Sequence, residues 1–462
     1  LILPVEIQVR ELDAKLLLGC IAAQRGFPVV IGKLKTILGR IASLPRSVFI
    51  SKGMGAQSVE KFKFIRGLGH EIAGWDEEAL VHYPPETHFG KRVAPDAAQY
   101  ISHLFAWGPE SADLWRSNPQ FRQSPIHVTG NPRLDLLRRE IRPYFEPEAE
   151  ALRDAHGDFV LVNTNFPLVN SNRGIFLDDG AEGDARTPGI GARGMTREFA
   201  EGLHRHKQAN FIRFQRMIPE LARAFPEIAV VVRPHPSEKP EVYDAIAGRL
   251  ANVVVENAGN VIPWSLAARA TIHNGCTTGV EANLLEVPTL TYGPSREDDF
   301  DLGRAFRLPN LISHQCPDFE SLQQRLRRIL AGELGCADGA ERDQLLAEFV
   351  APMDGPLACD RILDVIEEFT RERAELPKPS LPRLFDAWRR IAGMRLEKVR
   401  SKISFDRSAA KRAATATARR AVYPEVSAEE MQRRLRRFQT VLGFSEPLDI
   451  EPLGPHLYRI RS

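Results

Sequence analysis

The stretch I-A-V-V-V-R-P-H-P-S-E, Ile228–Glu238, decides how this sequence folds. Its first five residues are apolar, and four of them are β-branched. Such a run has no polar alternation, so it predicts a strand buried on both faces, as in a parallel sheet. Two prolines then stop the strand and stiffen the polar residues that leave it. The same pattern recurs on either side. Downstream lie the strands Val253–Val255, Ala270–His273 and Thr289–Tyr292. Upstream come the helix Glu198–Phe225 and the strand Phe159–Val162. Further upstream, Leu1–Ile7, Pro28–Ile31, Ser47–Ile50, Glu71–Trp75, His103–Trp107 and Ile126–Thr129 are mostly separated by helix-sized gaps. Strand–helix alternation of this kind predicts an α/β chain of two doubly wound, Rossmann-like domains facing a cleft.

The expected boundaries are 1–150 for the first domain, 151–372 for the second and 373–462 for a tail. The tail opens with the proline-containing linker Glu375–Pro382 and is expected to be mostly helical. It ends in a helix initiated by Ser427, with Glu430 at the capping-box position, and a short strand. Charge divides along the same line. The chain of 462 residues has 62 Lys+Arg against 60 Asp+Glu, a net +2. Residues 383–420 alone hold 12 basic and 3 acidic side chains, so the remainder is mildly acidic, near −7. Five dispersed cysteines without a CxxC argue against a disulfide scaffold or structural zinc and fit a cytoplasmic setting. No run approaches the ~20 apolar residues of a membrane span, and no basic segment precedes the opening strand, so no signal peptide is expected.

Residues that leave strand ends are the candidates for chemistry, because open α/β sheets bind ligands at their carboxyl edge. Arg233 offers a planar fork for phosphate, and His235 offers a ring that Pro234 and Pro236 hold in place, with Ser237 beside it. In His273-Asn274-Gly275-Cys276-Thr277-Thr278, small and hydroxyl residues precede a helical stretch containing Glu281. Backbone N–H groups there suit a phosphate, and an ordinary N-cap is the other reading. Asn163 and Thr164 end the first strand of the second domain. In the first domain Asp76, Glu77 and Glu78 follow a strand; they are either a crowded general base or acids that complement a helix dipole. Arg10, Glu11 and Asp13 follow the opening strand and either line the same cleft or cap their helix. No metal site is expected: His204 and His206 point to different helix faces. Neither a P-loop nor a dinucleotide fingerprint follows any strand.

With R-P-H-P and then H-N-G-C-T-T-G-V-E-A and V-P-T-L-T-Y, the chain resembles GT-B glycosyltransferases. More narrowly it resembles bacterial surface carbohydrate biosynthesis proteins. Their relatives are the Kdo and sialic-acid transferases and the CDP-glycerol glycerophosphotransferases. The segments R-E-L-D-A-K-L-L-L (Arg10–Leu18), W-D-E-E (Trp75–Glu78), F-A-W-G (Phe105–Gly108) and V-T-G-N-P-R-L-D (Val128–Asp135) fit the same pattern, over roughly residues 1–370. The resemblance implies an acceptor domain followed by a nucleotide-sugar donor domain. It places His235, Pro236, Thr277 and Thr278 on the donor phosphate and the base at Glu77 or Glu78, with Ala79 where the family has glycine.

The expected activity is therefore metal-independent, inverting glycosyl transfer in lipopolysaccharide or capsule synthesis. A CMP-activated, Kdo-like or nonulosonic sugar would pass to a glycan or lipid-linked acceptor, with no cofactor. Polyol-phosphate transfer from CDP-glycerol, sugar-nucleotide 2-epimerisation and a non-catalytic scaffold are the alternatives. Trp388, Ile391 and Leu396, interleaved with arginines, read either as a peripheral contact with the anionic inner membrane surface or as a solvated spacer. No nucleic-acid recognition motif accompanies the basic charge.

Overall fold

The computed structural model describes residues 1–81, 88–89, 92, 95–171, 197–293, 307–372, 381–382, 384–386, 388–389, 392–393 and 426–462. They form two compact units. The first comprises residues 1–77, 92–136 and 350–462, and the second 78–91 and 137–349. Two of the expected domain limits therefore move. The first unit ends its opening pass near 136 rather than 150. Residues 350–372, expected in the second domain, belong to the first, as do the described residues of the tail.

The first unit is built on an eight-stranded sheet of order β13-β14-β2-β1-β3-β4-β5-β6. Its parallel part contains β1 (Ile2–Val5), β2 (Val29–Lys33), β3 (Val48–Ser51), β4 (Glu71–Gly74), β5 (His103–Ala106) and β6 (Ile126–Val128). Each falls where an apolar run predicts it. The winding reverses between β1 and β3. The terminal strand expected from sequence is a hairpin, β13 (Asp449–Gly454) and β14 (Leu457–Arg461), and β14 pairs antiparallel with β2. The hairpin covers an edge that would otherwise present unpaired backbone groups.

That docking depends on a glycine. A Cβ on Gly32 would lie 2.2 Å from the His456 carbonyl oxygen and 2.9 Å from Leu457 Cα. Behind the sheet, the helix Gln8–Gln24 is buried on nearly every side, including Leu16, Leu17, Leu18 and Ile21. An apolar surface running all round a helix needs cover on all sides. Here the helices Ala358–Glu372 and Ala428–Leu442 supply part of it. Polar ties hold them in place. Arg25 bridges Asp360 at 2.6 Å and Asp364 at 2.7 Å, and Asp135 accepts from the Ala358 and Cys359 backbone N–H groups at 2.8 Å each. Ser427 caps the last helix through the Glu430 N–H, as its sequence position predicts.

The second unit carries six parallel strands in the order β12-β11-β10-β7-β8-β9. They are β7 (Phe159–Asn163), β8 (Ala229–Arg233), β9 (Val253–Val255), β10 (Ala270–His273), β11 (Thr289–Tyr292) and β12 (His314–Cys316). Only β12 has no counterpart in the sequence reading, because H-Q-C carries no apolar run. One face of the sheet packs Val160, Val162, Val230 and Val232 against Phe214, Ile218 and Leu221 of the helix Arg197–Ala224. The other packs Phe159, Leu161 and Val231 against Ala149 and Trp264. Among the described residues no helix is long and apolar enough to cross a membrane.

The Gly32 contact has a measurable consequence. Gly32→Ala should destabilise the first unit by about 2 kcal/mol or more, as overpacking against backbone does. Gly67→Ala, where an added Cβ meets nothing within 4 Å, should stay within ~0.5 kcal/mol of wild type. Urea unfolding of both variants checks the contrast.

Candidate functional site

In the second unit the winding reverses between β7 and β10, and ligands of open parallel sheets bind at such a switch point. Register brings the candidate residues to one level there. Asn163 pairs with Arg233 across β7 and β8, and Val162 pairs with Ile272, one residue before His273. Asn163, Thr164, Arg233, His273 and Asn274 thus share the carboxyl edge of three adjacent strands.

Their side chains have different employments. Arg233 donates to the Ala258 and Gly259 carbonyls at 3.0 and 3.2 Å and lies 4.9 Å from the Trp264 ring centre. Burial lowers its pKa to about 10. The fork expected for phosphate is instead committed to the turn after β9. His273 is fully buried and its ring is committed at both nitrogens. Nδ1 accepts from the Gly275 N–H at 3.2 Å, and Nε2 sits 2.9 Å from Ser313 Oγ. Burial lowers its pKa to about 3, so it is neutral. It is a peg beneath the next helix rather than a ligand group, and the approach is close: a Cβ on Gly279 would lie 2.3 Å from His273 Nε2. Thr164 likewise spends its hydroxyl on Glu238, at 2.9 Å.

What remains is a compact set of polar atoms without partners. Asn163 Nδ2, Asn274 Nδ2 and Oδ1, and Thr278 Oγ1 are all buried and make no hydrogen bond. Buried polar atoms are nearly always satisfied, and each orphan costs about 1–3 kcal/mol. Several together at a switch point mark a place for a polar ligand. The helix Thr277–Leu284 begins beside them with Cys276 at its N-cap and no side-chain cap. The ordinary N-cap reading of Thr277 and Thr278 is thereby removed; the Gly279 N–H turns back to the Cys276 carbonyl, and the Thr277 and Thr278 N–H groups lie at the helix end where an anion would bind. Glu281 lies buried in the same helix.

His235 follows β8. Its Nδ1 accepts from the Ser237 N–H at 3.1 Å, so in the neutral ring the proton belongs on Nε2. Pro236 is exposed beside it. The residue that the sequence reading passed over is Glu238, buried at 3% exposure. Its carboxylate accepts from Thr164 Oγ1, Phe166 N, His235 N, Asn170 Nδ2 and Tyr243 OH. A glutamate three residues after a histidine, in a loop stiffened by two prolines, was the available signal.

In the first unit the acids are more fully tied. Glu11 accepts from the Glu6 and Ile7 N–H groups and from Lys15 and Lys52 Nζ. Burial alone would raise its pKa, but the two ammonium groups and these hydrogen bonds hold it at about 2. Asp13 pairs with Arg434 of the last helix at 2.9 Å. Glu11 and Asp13 are therefore engaged in holding the fold, while Arg10 is half-buried beside them. Asp76 pairs with Arg92 at 3.1 Å and Glu77 accepts from the Trp75 indole at 2.7 Å, while Glu78, which is exposed, already belongs to the second unit. Asp76 and Glu77 thus each have their own donor. The acidic loops around 178–179 and 297–299 lie outside the described residues.

No known family matches the sequence, and no curated protein does. Solved structures with some likeness include the wall teichoic acid polymerase TagF, at 12% identity and a TM-score of 0.44, covering 71% of this chain and 73% of that one. Another is MnaA of S. aureus with UDP, at 13% identity and a TM-score of 0.44, covering 82% and 98%. A third is the putative UDP-N-acetylglucosamine 2-epimerase of Listeria monocytogenes, at 14% identity and 0.45, with the same coverage. At such low similarity, function has to be read from the site's own groups.

Glu11 supplies a test of the first-unit assignment. Its folded-state pKa lies below the ordinary 4.5, so its contribution to stability is complete above pH 4.5 and is lost as pH falls towards 2. Glu11→Gln should therefore cost most at pH 6–7, by about 3 kcal/mol, because the buried Lys15 loses its carboxylate and Lys52 is left with Glu6 alone at 3.2 Å. The difference from wild type should narrow steadily below pH 4.5. Urea titrations across that range check it.

Proposed function

We propose that this chain is a glycosyltransferase of surface-polysaccharide assembly whose second unit binds the phosphate of a nucleotide-activated donor. A CMP-linked, Kdo-like or nonulosonic sugar is the donor proposed. The observation that carries the reading is the cluster of unpartnered buried polar atoms on Asn163, Asn274 and Thr278, beside an uncapped helix N-terminus. Donors fixed in advance around a departing phosphate stabilise the charge that develops on it without reorganising. In this reading Thr277 and Thr278 N–H, Thr278 Oγ1, Asn274 Nδ2 and His235 Nε2–H surround the leaving group, and Glu281 accepts from the ribose. An acceptor hydroxyl attacks the anomeric carbon and forms the new C–O bond. The bond to the phosphate oxygen breaks, CMP leaves with the electron pair, and the hydroxyl proton passes to a carboxylate. Glu77 and Glu78 are the carboxylates proposed, with Asp76 and Arg92 beside them. Arg233 and His273 build the wall of the site and Ser237 sets the imidazole.

The tail belongs to the same proposal as a contact with an anionic membrane surface. Leu381, Phe385 and Trp388 are 81, 73 and 53% exposed; the only other exposed large hydrophobic residue among those described is Ile212. They recur at spacings of four and three, one face of a helix, and are helical where described. The basic run 383–420 overlaps them. Apolar side chains among arginines suit the headgroup region of anionic lipid. Ile391 and Leu396 lie outside the described residues.

Two measurements test these readings. CMP at about a hundred times its dissociation constant should stabilise the protein by about 2.7 kcal/mol in thermal melts, and more than CDP, UDP or GDP at equal concentration. Thr278→Val should keep or raise the melting temperature of the free protein, because it removes an unsatisfied group, while abolishing most of the CMP effect. An undiminished CMP shift in Thr278→Val, or no shift with any nucleotide, contradicts the site. In co-sedimentation, the full chain should pellet with phosphatidylglycerol vesicles and much less with phosphatidylcholine. The Leu381→Ser, Phe385→Ser, Trp388→Ser variant should lose that pelleting several-fold; equal pelleting contradicts the membrane contact.

A further inference from the structure

Glu238 is an unusual element of the second unit. It is a buried carboxylate that draws donors from three separate segments. Thr164 Oγ1, Phe166 N and His235 N converge on Oε1 at 2.9, 2.9 and 3.2 Å. Tyr243 OH reaches Oε2 at 2.6 Å, with Asn170 Nδ2 at 3.5 Å. Thr164 and Phe166 belong to the exit of β7, His235 to the exit of β8, and Tyr243 to the helix Glu241–Ala247. The loop is closed a second time from its own backbone, where the Glu238 N–H donates to the His235 carbonyl at 2.8 Å. A reciprocal pair of this kind, side chain to backbone and backbone to backbone, fixes a four-residue turn as a capping box fixes a helix start.

Inside that turn the Ser237 N–H is held against His235 Nδ1 at 3.1 Å. Holding Ser237 N–H there selects one of two imidazole tautomers, because a nitrogen that accepts cannot also carry the proton. We infer that Glu238 is a positioning residue for His235: by closing the 235–238 turn onto the exit of β7, it holds the imidazole as the Nε2–H tautomer facing the donor phosphate. The inference rests on the proposed nucleotide site for its functional meaning, but its structural core does not. The carboxylate suits this job because both of its oxygens only accept. A neutral amide of the same shape would turn an NH2 group towards the Tyr243 hydroxyl and the Asn170 amide, both of which now donate. At least one donor would then be left buried without an acceptor, and the turn would loosen.

The test reads the ring directly. Long-range ¹H–¹⁵N spectra of the full-length protein, with His235 assigned by its loss in His235→Gln, report which ring nitrogen is protonated without any ligand. Wild type should show Nε2–H alone, and Glu238→Gln should show a mixture of tautomers or rapid exchange. If Glu238→Gln fails to fold, Glu238→Asp, which keeps the charge but retracts it by one methylene, is read in the same way. The second arm measures CMP affinity by calorimetry. Glu238→Gln and His235→Gln should each weaken binding about tenfold. The double variant should be within about twofold of the His235→Gln single, since a residue that acts through another adds nothing once that other is gone. A variant that melts earlier but keeps a pure Nε2–H tautomer makes Glu238 merely structural and overturns the inference, as do fully additive affinity losses. If no nucleotide binds even wild type, the proposed function falls while the tautomer result still decides the role of Glu238.

Discussion

The pairing of β7 with a parallel strand on each side is the constraint from which the second unit's chemistry follows. Val162 meets Val232 on one flank and Ile272 on the other. Since all three strands run the same way, what leaves them must emerge at one edge: Asn163 and Thr164, then Arg233 to Glu238, then His273 to Thr278. The apolar faces of these strands leave no freedom of register, because a one-residue slip would bring side chains from the opposite face into each core. A slip would also separate Asn163 from Arg233. The hydrophobic core and the polar site are thus set by the same pairing, and the residues of the site need no attraction for one another to be assembled.

This explains which parts of the molecule were legible in the sequence. Eleven strands announce themselves as short apolar runs, and the helix Gln8–Gln24 as a long one closed by Gly26, which takes a φ of +84°. Location at a strand end was legible for the same reason. Employment was not. Arg233 carries the right group for a phosphate, but its partners are carbonyls 25 and 26 residues further on, and nothing local in the sequence signals that contact. His273 looks like His235 on paper, each a histidine at the end of a strand. Burial beneath Gly279 and a bond to Ser313, 40 residues away, make it a peg. The return of residues 350–372 to the first unit was equally hidden, since Asp135 at the Ala358 and Cys359 N–H groups is a long-range contact. Its one local trace is the second half of the first helix, Leu16–Ala23, apolar all round and more than a single sheet can cover.

The polar groups divide into those that hold the fold and those left over. Glu11, Asp13, Asp76, Arg233, Glu238 and His273 all have partners at hydrogen-bonding distance, and for most of them removal would strand another buried group. Asn163 Nδ2, both polar atoms of the Asn274 side chain and Thr278 Oγ1 have none. A molecule selected for stability alone would have replaced these three by apolar residues of similar size. They sit at the switch point, where the nucleotide site is proposed.

The antiparallel docking of β14 on β2 also bears on the order in which the chain is made. Gly32 faces Leu457 across that pairing, so β2 shares a ladder with a strand made only after the whole of the second unit. The second unit, by contrast, draws nearly all its residues from the continuous stretch 137–349. During synthesis it has everything it needs before the first unit does, and domains generally fold as units once their residues are available. While roughly the last quarter of the chain is being made, then, the second unit is complete and the first is not, and the edge of β2 waits for the hairpin.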